Sequence, residues 1–274
     1  MIKPVVACIA ITLTALLIPC TSARPANSDA DRATYPYTLD TCPISGEKLG
    51  GMGDAVVKVY DNREVRFCCE MCVPTFESDK DRYWSEIDAR IIDQQLLHYP
   101  IDTCIVTAEK LSDLAVNHVY NNRLVRFANN KALATFKTDP DRYLEALDKK
   151  IVEKQLPKYP INSCLVTGEA LGSMGDADNF IYMNRLIRFC CASCEQAFLD
   201  NPAKYMAQLD DAYAAQQRDH YSLDACVVSG ERLTKMGKPV EVIAGNRLVK
   251  LCCKDCVARF RKSPGKYLAK LPAE

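Results

Sequence analysis

Twelve cysteines of this 274-residue chain fall into three sets with one spacing: Cys42, Cys68, Cys69 and Cys72; Cys164, Cys190, Cys191 and Cys194; Cys226, Cys252, Cys253 and Cys256. Thiolate sulfur is both a nucleophile and a metal ligand. Three or four sulfurs converging on one point suit a soft or borderline ion, Zn(II) or Cu(I), with Cd(II) as a toxic relative. The spacing favours convergence. Cys68 and Cys72 are i,i+4 and Cys69 and Cys72 are i,i+3, so on a helix either pair shares a face, and a helix N-terminus stabilises thiolates. The first cysteine of each set lies in a turn upstream and approaches from the opposite side. His98, His118 and His220 fall outside the sets and read as solvated or packed residues. Met52, Met174 and Met236 are a further candidate for Cu(I) ligation. A plug for the loop core explains them equally well, because the corresponding Leu114 conserves their volume.

The elements that position these residues occur four times. Tyr37 to Cys42, Tyr99 to Cys104, Tyr159 to Cys164 and Tyr221 to Cys226 open four copies of one unit, each about 60 residues long. After the first cysteine comes a tight polar turn, then two short strands joined by a turn that ends in Asn62, Asn122, Asn184 or Asn246. Asn tolerates the left-handed backbone that such hairpins need. Phe76, Phe136, Phe198 and Phe260 precede Tyr83, Tyr143, Tyr205 and Tyr267 by seven residues, with Ile87, Leu147, Leu209 and Leu271 four further on. That spacing lines one helical face and marks core. Asp139-Pro140, Asn201-Pro202 and Ser263-Pro264 place a cap and then proline where a second helix starts. In copies one to three this helix runs to about Leu97, Leu156 and Arg218 and links to the next copy. The sequence therefore predicts an α+β chain of four tandem ββα units linked by helices, at 37–98, 99–158, 159–220 and 221–274. Copy two keeps only Cys104; Ala128, Asn129 and Ala132 stand where the others have cysteine, so it is degenerate. Arg66, Arg126, Arg188 and Lys250 read as an outward strand face rather than an anion site.

Composition bounds the partners. Thirty-five Lys and Arg balance 35 Asp and Glu, which gives no electrostatic case for nucleic acid. Residues 1–23 read as an export signal: Lys3 is followed by an apolar run from Val5 to Ile18 and by the small residues Thr21-Ser22-Ala23. Leu17-Ile18-Pro19-Cys20 also resembles a lipobox, and lipidation at Cys20 is the one route to a membrane. Residues 24–36 read as a flexible linker. The mature chain is then periplasmic or secreted, where disulfides are allowed.

The stretch Cys42-Pro43-Ile44-Ser45-Gly46, the hairpin, Phe67-Cys68-Cys69-Glu70-Met71-Cys72 and the Phe76 to Tyr83 tail resemble the TRASH/YHS group of treble-clef-like metal-binding modules. The resemblance covers residues 37–274. It implies ligation by Cys42, Cys68 and Cys72, by Cys164, Cys190 and Cys194, and by Cys226, Cys252 and Cys256. It also implies a role in heavy-metal homeostasis or delivery to an exporter, without enzymatic activity. Two features depart from the family pattern. Ser45, Thr167 and Ser229 stand where many members have a second turn cysteine, and Cys69, Cys191 and Cys253 are extra. The fourth ligand is then that neighbour, a water, a methionine or nothing. Two other readings stand beside metal binding: a disulfide-stapled structural or interaction module, and a dithiol redox protein built on Cys69-x-x-Cys72 and its copies.

Overall fold

The computed structural model describes residues 35–272. The expected leader, with Cys8 and Cys20, and all of the expected linker before Tyr35 lie outside the described residues. The four copies fall in one compact unit, Ala33–Glu274.

The architecture is α+β: four two-stranded antiparallel hairpins, each followed by two helices. Copy one has β1 (Val56–Tyr60), β2 (Arg63–Phe67), α1 (Cys72–Ser78) and α2 (Lys80–Leu96). Copy two has β3 (Val116–Tyr120), β4 (Arg123–Phe127), α3 (Asn130–Phe136) and α4 (Pro140–Gln155). Copy three has β5 (Asp178–Tyr182), β6 (Arg185–Phe189), α5 (Cys194–Asp200) and α6 (Pro202–Arg218). Copy four has β7 (Val240–Ala244), β8 (Arg247–Leu251), α7 (Lys254–Lys262) and α8 (Pro264–Leu268). No helix among the described residues is long and apolar enough to cross a membrane.

Local chemistry accounts for each element. Register is identical in the four hairpins, from Val56 opposite Phe67 to Tyr60 opposite Arg63 in the first. The connecting pairs sit at positive φ, 50° at Asp61 and 62° at Asn62, as a two-residue turn matched to strand twist requires. Helix pairs break at an acceptor side chain in copies one to three, whereas the expected cap Ser263 of copy four makes no such bond. Asp79, Asp139 and Asn201 take the backbone N–H of Arg82, Arg142 and Lys204, each at 3.4 Å. Phe76, Phe136, Phe198 and Phe260 are fully buried, as are Ile87, Leu147 and Leu209.

The copies stack rather than string out, because each hairpin completes the core of the copy before it. Val119 packs into the core of copy one, Ile181 and Leu186 into that of copy two, and Ile243 and Leu248 into that of copy three. A polar ladder runs through the same junctions. In α2 the buried stripe reads Ile87, Ile91, Gln95. Gln95 accepts the N–H of Leu124 at 2.9 Å and donates to the carbonyl of Asn122 at 2.9 Å. Gln155 does the same for Leu186 and Asn184, and Gln217 for Leu248 and Asn246. The turn asparagine of each later copy accepts from the arginine opening the second strand of the copy before: Arg63 to Asn122 at 2.9 Å, Arg123 to Asn184 at 2.8 Å, Arg185 to Asn246 at 3.0 Å. Arg63 is half-buried and Arg123 and Arg185 are buried, and the three are ion-paired to Asp88, Asp148 and Asp210 on the long helices. Copy four also touches copy one: Leu97 lies in its core and accepts the N–H of Gly245 at 3.0 Å.

Candidate metal centres

The first cysteine of each copy sits in a knuckle. The Cys42 N–H donates to the Glu47 carbonyl at 2.8 Å and its carbonyl accepts from Gly46 at 3.0 Å. Gly46 takes φ 75°, a left-handed angle that closes the turn without a Cβ penalty. The same bonds recur at Cys104, Cys164 and Cys226. This geometry aims the N–H groups of Ile44 and Ser45 at the Cys42 sulfur.

The other two cysteines come from the join between the second strand and the short helix. Their sulfurs meet: 3.7 Å between Cys68 and Cys72, 3.8 Å between Cys190 and Cys194, 3.6 Å between Cys252 and Cys256. They do not meet on a helical face, as the i,i+4 spacing predicts. Cys68 and Cys190 follow the strand directly, and α1 and α5 begin only at Cys72 and Cys194. A turn closed by the Cys72 N–H on the Cys69 carbonyl, at 3.2 Å, supplies the approach instead. In copy four α7 begins earlier, with Cys253 as its cap residue.

Three groups result: Cys42, Cys68 and Cys72; Cys164, Cys190 and Cys194; Cys226, Cys252 and Cys256. Within each, all sulfurs lie within 4.8 Å of one another. All nine are buried, from 0% exposed at Cys42 to 7% at Cys72. A tetrahedral ion with sulfur bonds of about 2.3 Å holds its sulfurs about 3.8 Å apart. The 3.6–3.8 Å separations of the paired cysteines match that figure. The triads therefore fit a metal ion in donor type, and their paired sulfurs fit it in spacing. The thirteen described cysteines are free thiols.

Cys69, Cys191 and Cys253 stand apart from the triads in exposure, being half-buried. Cys69 lies 3.9 Å from the Cys68 sulfur and 3.8 Å from that of Cys72. Cys191 lies 3.9 Å from Cys194, and Cys253 3.9 Å from Cys252.

Electrostatics divide each set. Burial raises the Cys42 thiol, but the N–H groups of Ser45, Cys68 and Ile44 with the Ser45 hydroxyl outweigh it and bring it down to about 7. The same opposition brings Cys164 and Cys226 down to about 6. Burial, then contact with the neighbouring sulfurs, raises Cys72 and Cys194 and pushes Cys256 up to about 12. Each triad thus offers one sulfur that ionises readily and one that holds its proton until an ion displaces it.

Ser45, Thr167 and Ser229 belong to the site, although sequence reasoning treats them only as missing cysteines. Their hydroxyls lie 3.3, 3.5 and 3.4 Å from the sulfurs of Cys68, Cys190 and Cys252. Their position in the knuckle, three residues after the first cysteine, was the available signal. The methionines do not fill the loop core: Met52 is 64% exposed, Met174 and Met236 69%, and Leu114 89%. The Gly-rich loop turns these side chains to solvent. His98 is buried, His118 half-buried against Phe136 and His220 exposed, all outside the triads. Arg126, Arg188 and Lys250 lie over the rings of Tyr99, Tyr159 and Tyr221. In copy two Cys104 keeps its knuckle, but Asn129 caps α3 by accepting the Ala132 N–H at 3.0 Å.

Comparison with family models, with curated proteins and with solved structures finds no match to this chain.

Proposed function

We propose that this chain is a non-enzymatic heavy-metal-binding repeat protein of the TRASH/YHS type. It takes up a soft or borderline ion, Zn(II) or Cu(I), and serves metal homeostasis or delivery to an exporter outside the cytoplasm. The observation that carries this reading is the threefold recurrence of a buried cysteine triad whose sulfurs lie within 4.8 Å of one another, two of them at a metal-sized separation. Burial supports binding over catalysis, because nine sulfurs closed off from solvent leave an ion, not an organic substrate, as the natural occupant. Thiolate donors support the soft end of the metal series. The apolar run Val5 to Ile18 after Lys3 supports export to the periplasm or beyond, with lipid attachment at Cys20 as the anchored form. Neutral net charge gives no electrostatic case for nucleic acid, and the partner this reading calls for is a metal-export or metal-delivery protein.

The test is metal content and free-thiol count on protein purified anaerobically from its native compartment. Elemental analysis is expected to find one ion per triad, three per chain. A Cys72→Ser, Cys194→Ser, Cys256→Ser variant is expected to lose them while keeping its helical circular dichroism. Metal-free protein with its clustered thiols blocked as disulfides would overturn the proposal in favour of a stapled module.

A further inference from the structure

We propose that Cys69, Cys191 and Cys253 are hand-over ligands, through which an ion leaves the buried triad for the thiolates of an incoming acceptor. The proposal rests on the metal-binding reading above and adds an exit to it.

The argument begins with two triangles that share an edge. In copy one the inner triangle is Cys42, Cys68 and Cys72, fully inside the fold. The outer triangle is Cys68, Cys69 and Cys72, with sides of 3.9, 3.8 and 3.7 Å. Those sides are also what a single ion imposes on three sulfurs. An ion held by the inner triangle therefore reaches the outer one by exchanging a single ligand, Cys42 for Cys69, while Cys68 and Cys72 stay bound. The two sets differ in access. Cys42 is 0% exposed, whereas Cys69, Cys191 and Cys253 are the half-buried members of their sets. An acceptor thus meets the ion on the outer triangle and not on the inner one.

The backbone allows the exchange. Cys69 lies in the turn between β2 and α1, outside both elements, and its carbonyl takes the Cys72 N–H. Cys191 holds the same place before α5, where its sulfur also lies 3.0 Å from the Ser193 hydroxyl. Cys253 sits at the edge of α7 in extended backbone. The fourth cysteine accompanies every complete triad. In copy two, which has no triad, Asn129 stands there and caps the helix instead.

The step balances without redox change. The bond from metal to the Cys42 sulfur breaks as that to the Cys69 sulfur forms, and the ion keeps its charge. Cys69 gives its proton to solvent, and the released Cys42 sulfur stays a thiolate held by the N–H groups of its knuckle. The acceptor's thiolates then displace Cys68, Cys72 and last Cys69, one incoming sulfur for each that leaves, and each released thiolate takes up the proton that its replacement gave up.

The experiment uses the full chain loaded with Zn(II) and mixed with excess 4-(2-pyridylazo)resorcinol, whose colour reports release. A Cys69→Ser, Cys191→Ser, Cys253→Ser variant is expected to hold the wild-type three ions and to release them about tenfold more slowly. In the loaded wild type, iodoacetamide is expected to label Cys69, Cys191 and Cys253 with the zinc retained. Release at the wild-type rate would overturn the proposal. So would loss of zinc from the variant or on alkylation, since that marks the fourth cysteine as a permanent ligand. A wild-type chain that binds no Zn(II) would instead sink the metal-binding reading, and the hand-over with it.

Discussion

At the scale of single residues, copy two is an experiment already half performed. Cys104 keeps the knuckle, full burial and a thiol lowered by the hydroxyl of Thr107 and by backbone N–H groups against the opposing effect of burial. What is missing lies at Ala128 and Ala132, which occupy the places of Cys68 and Cys72. Ala132 is 1% exposed, so the space around it is protein, and a cysteine there adds one sulfur to a small site. Ala128→Cys with Ala132→Cys is therefore expected to raise bound Zn(II) from three ions per chain to four, read by elemental analysis. A count that stays at three in a folded variant would show that the knuckle and two spaced sulfurs do not suffice. Asn129→Cys in the same background is expected to leave the count at four and to speed release, if the fourth cysteine acts as an exit.

At the scale of elements, the hairpins are joined to the preceding helices by hydrogen bonds rather than by apolar contact alone. Gln155 shows the strongest case. It is buried, accepts the Leu186 N–H at 2.8 Å and the Asn246 side-chain amide at 2.9 Å, and donates to the Asn184 carbonyl at 3.2 Å. Gln155→Ala strands two backbone groups of the copy-three hairpin. The expected cost is about 2–6 kcal/mol, since each of the two buried groups left without a partner loses about 1–3. Urea denaturation reads it as a lower midpoint; an unchanged midpoint would mean that the ladder adds nothing to stability. The hairpins, helix breaks and apolar faces were legible in the sequence, because the turn asparagines, the caps and the Phe-to-Tyr spacing act within one copy. The ladder was not. Its partners lie in different copies, 29 residues apart for Gln95 and Leu124 and 59 for Arg63 and Asn122, and the periodicity of one copy carries no information about the next. One clue was present: Gln95 falls four residues after Ile91 and eight after Ile87, a polar residue on an apolar stripe. The exposed methionines were misread for a related reason, since a volume-conserving exchange between copies is equally compatible with solvent.

At the scale of the whole molecule, the contact between the first copy and the last places a histidine where four copies of one unit do not obviously need one. His98 follows Leu97 at the end of the first linking segment and lines a groove of about 270 Å³ with residues of copies three and four. It is 9% exposed, and its Nδ1 has no hydrogen-bond partner. Asp210, Asp211, Arg218, Glu241 and Arg261 also line the groove, and Arg185 pairs with Asp210. Burial, then the charges of Arg185 and Arg261, hold His98 well below the usual imidazole range. The sign of the consequence follows. Below about pH 6.5 the unfolded chain protonates this histidine and the folded chain does not, so unfolding takes up a proton. The stability due to His98 is complete above that pH and is lost below it, at up to about 1.4 kcal/mol per pH unit. Other groups titrate in the same range, the lowered Cys42, Cys164 and Cys226 among them, so the informative quantity is a difference. Urea denaturation of the chelator-treated chain and of His98→Gln at pH 7.5, 6.5 and 5.5 supplies it. The stability of wild type relative to the variant is expected to hold steady from pH 7.5 to 6.5 and to fall from 6.5 to 5.5. A constant difference across all three would mean that His98 takes its proton inside the fold, and that the groove between the first copy and the last is open enough to solvate it.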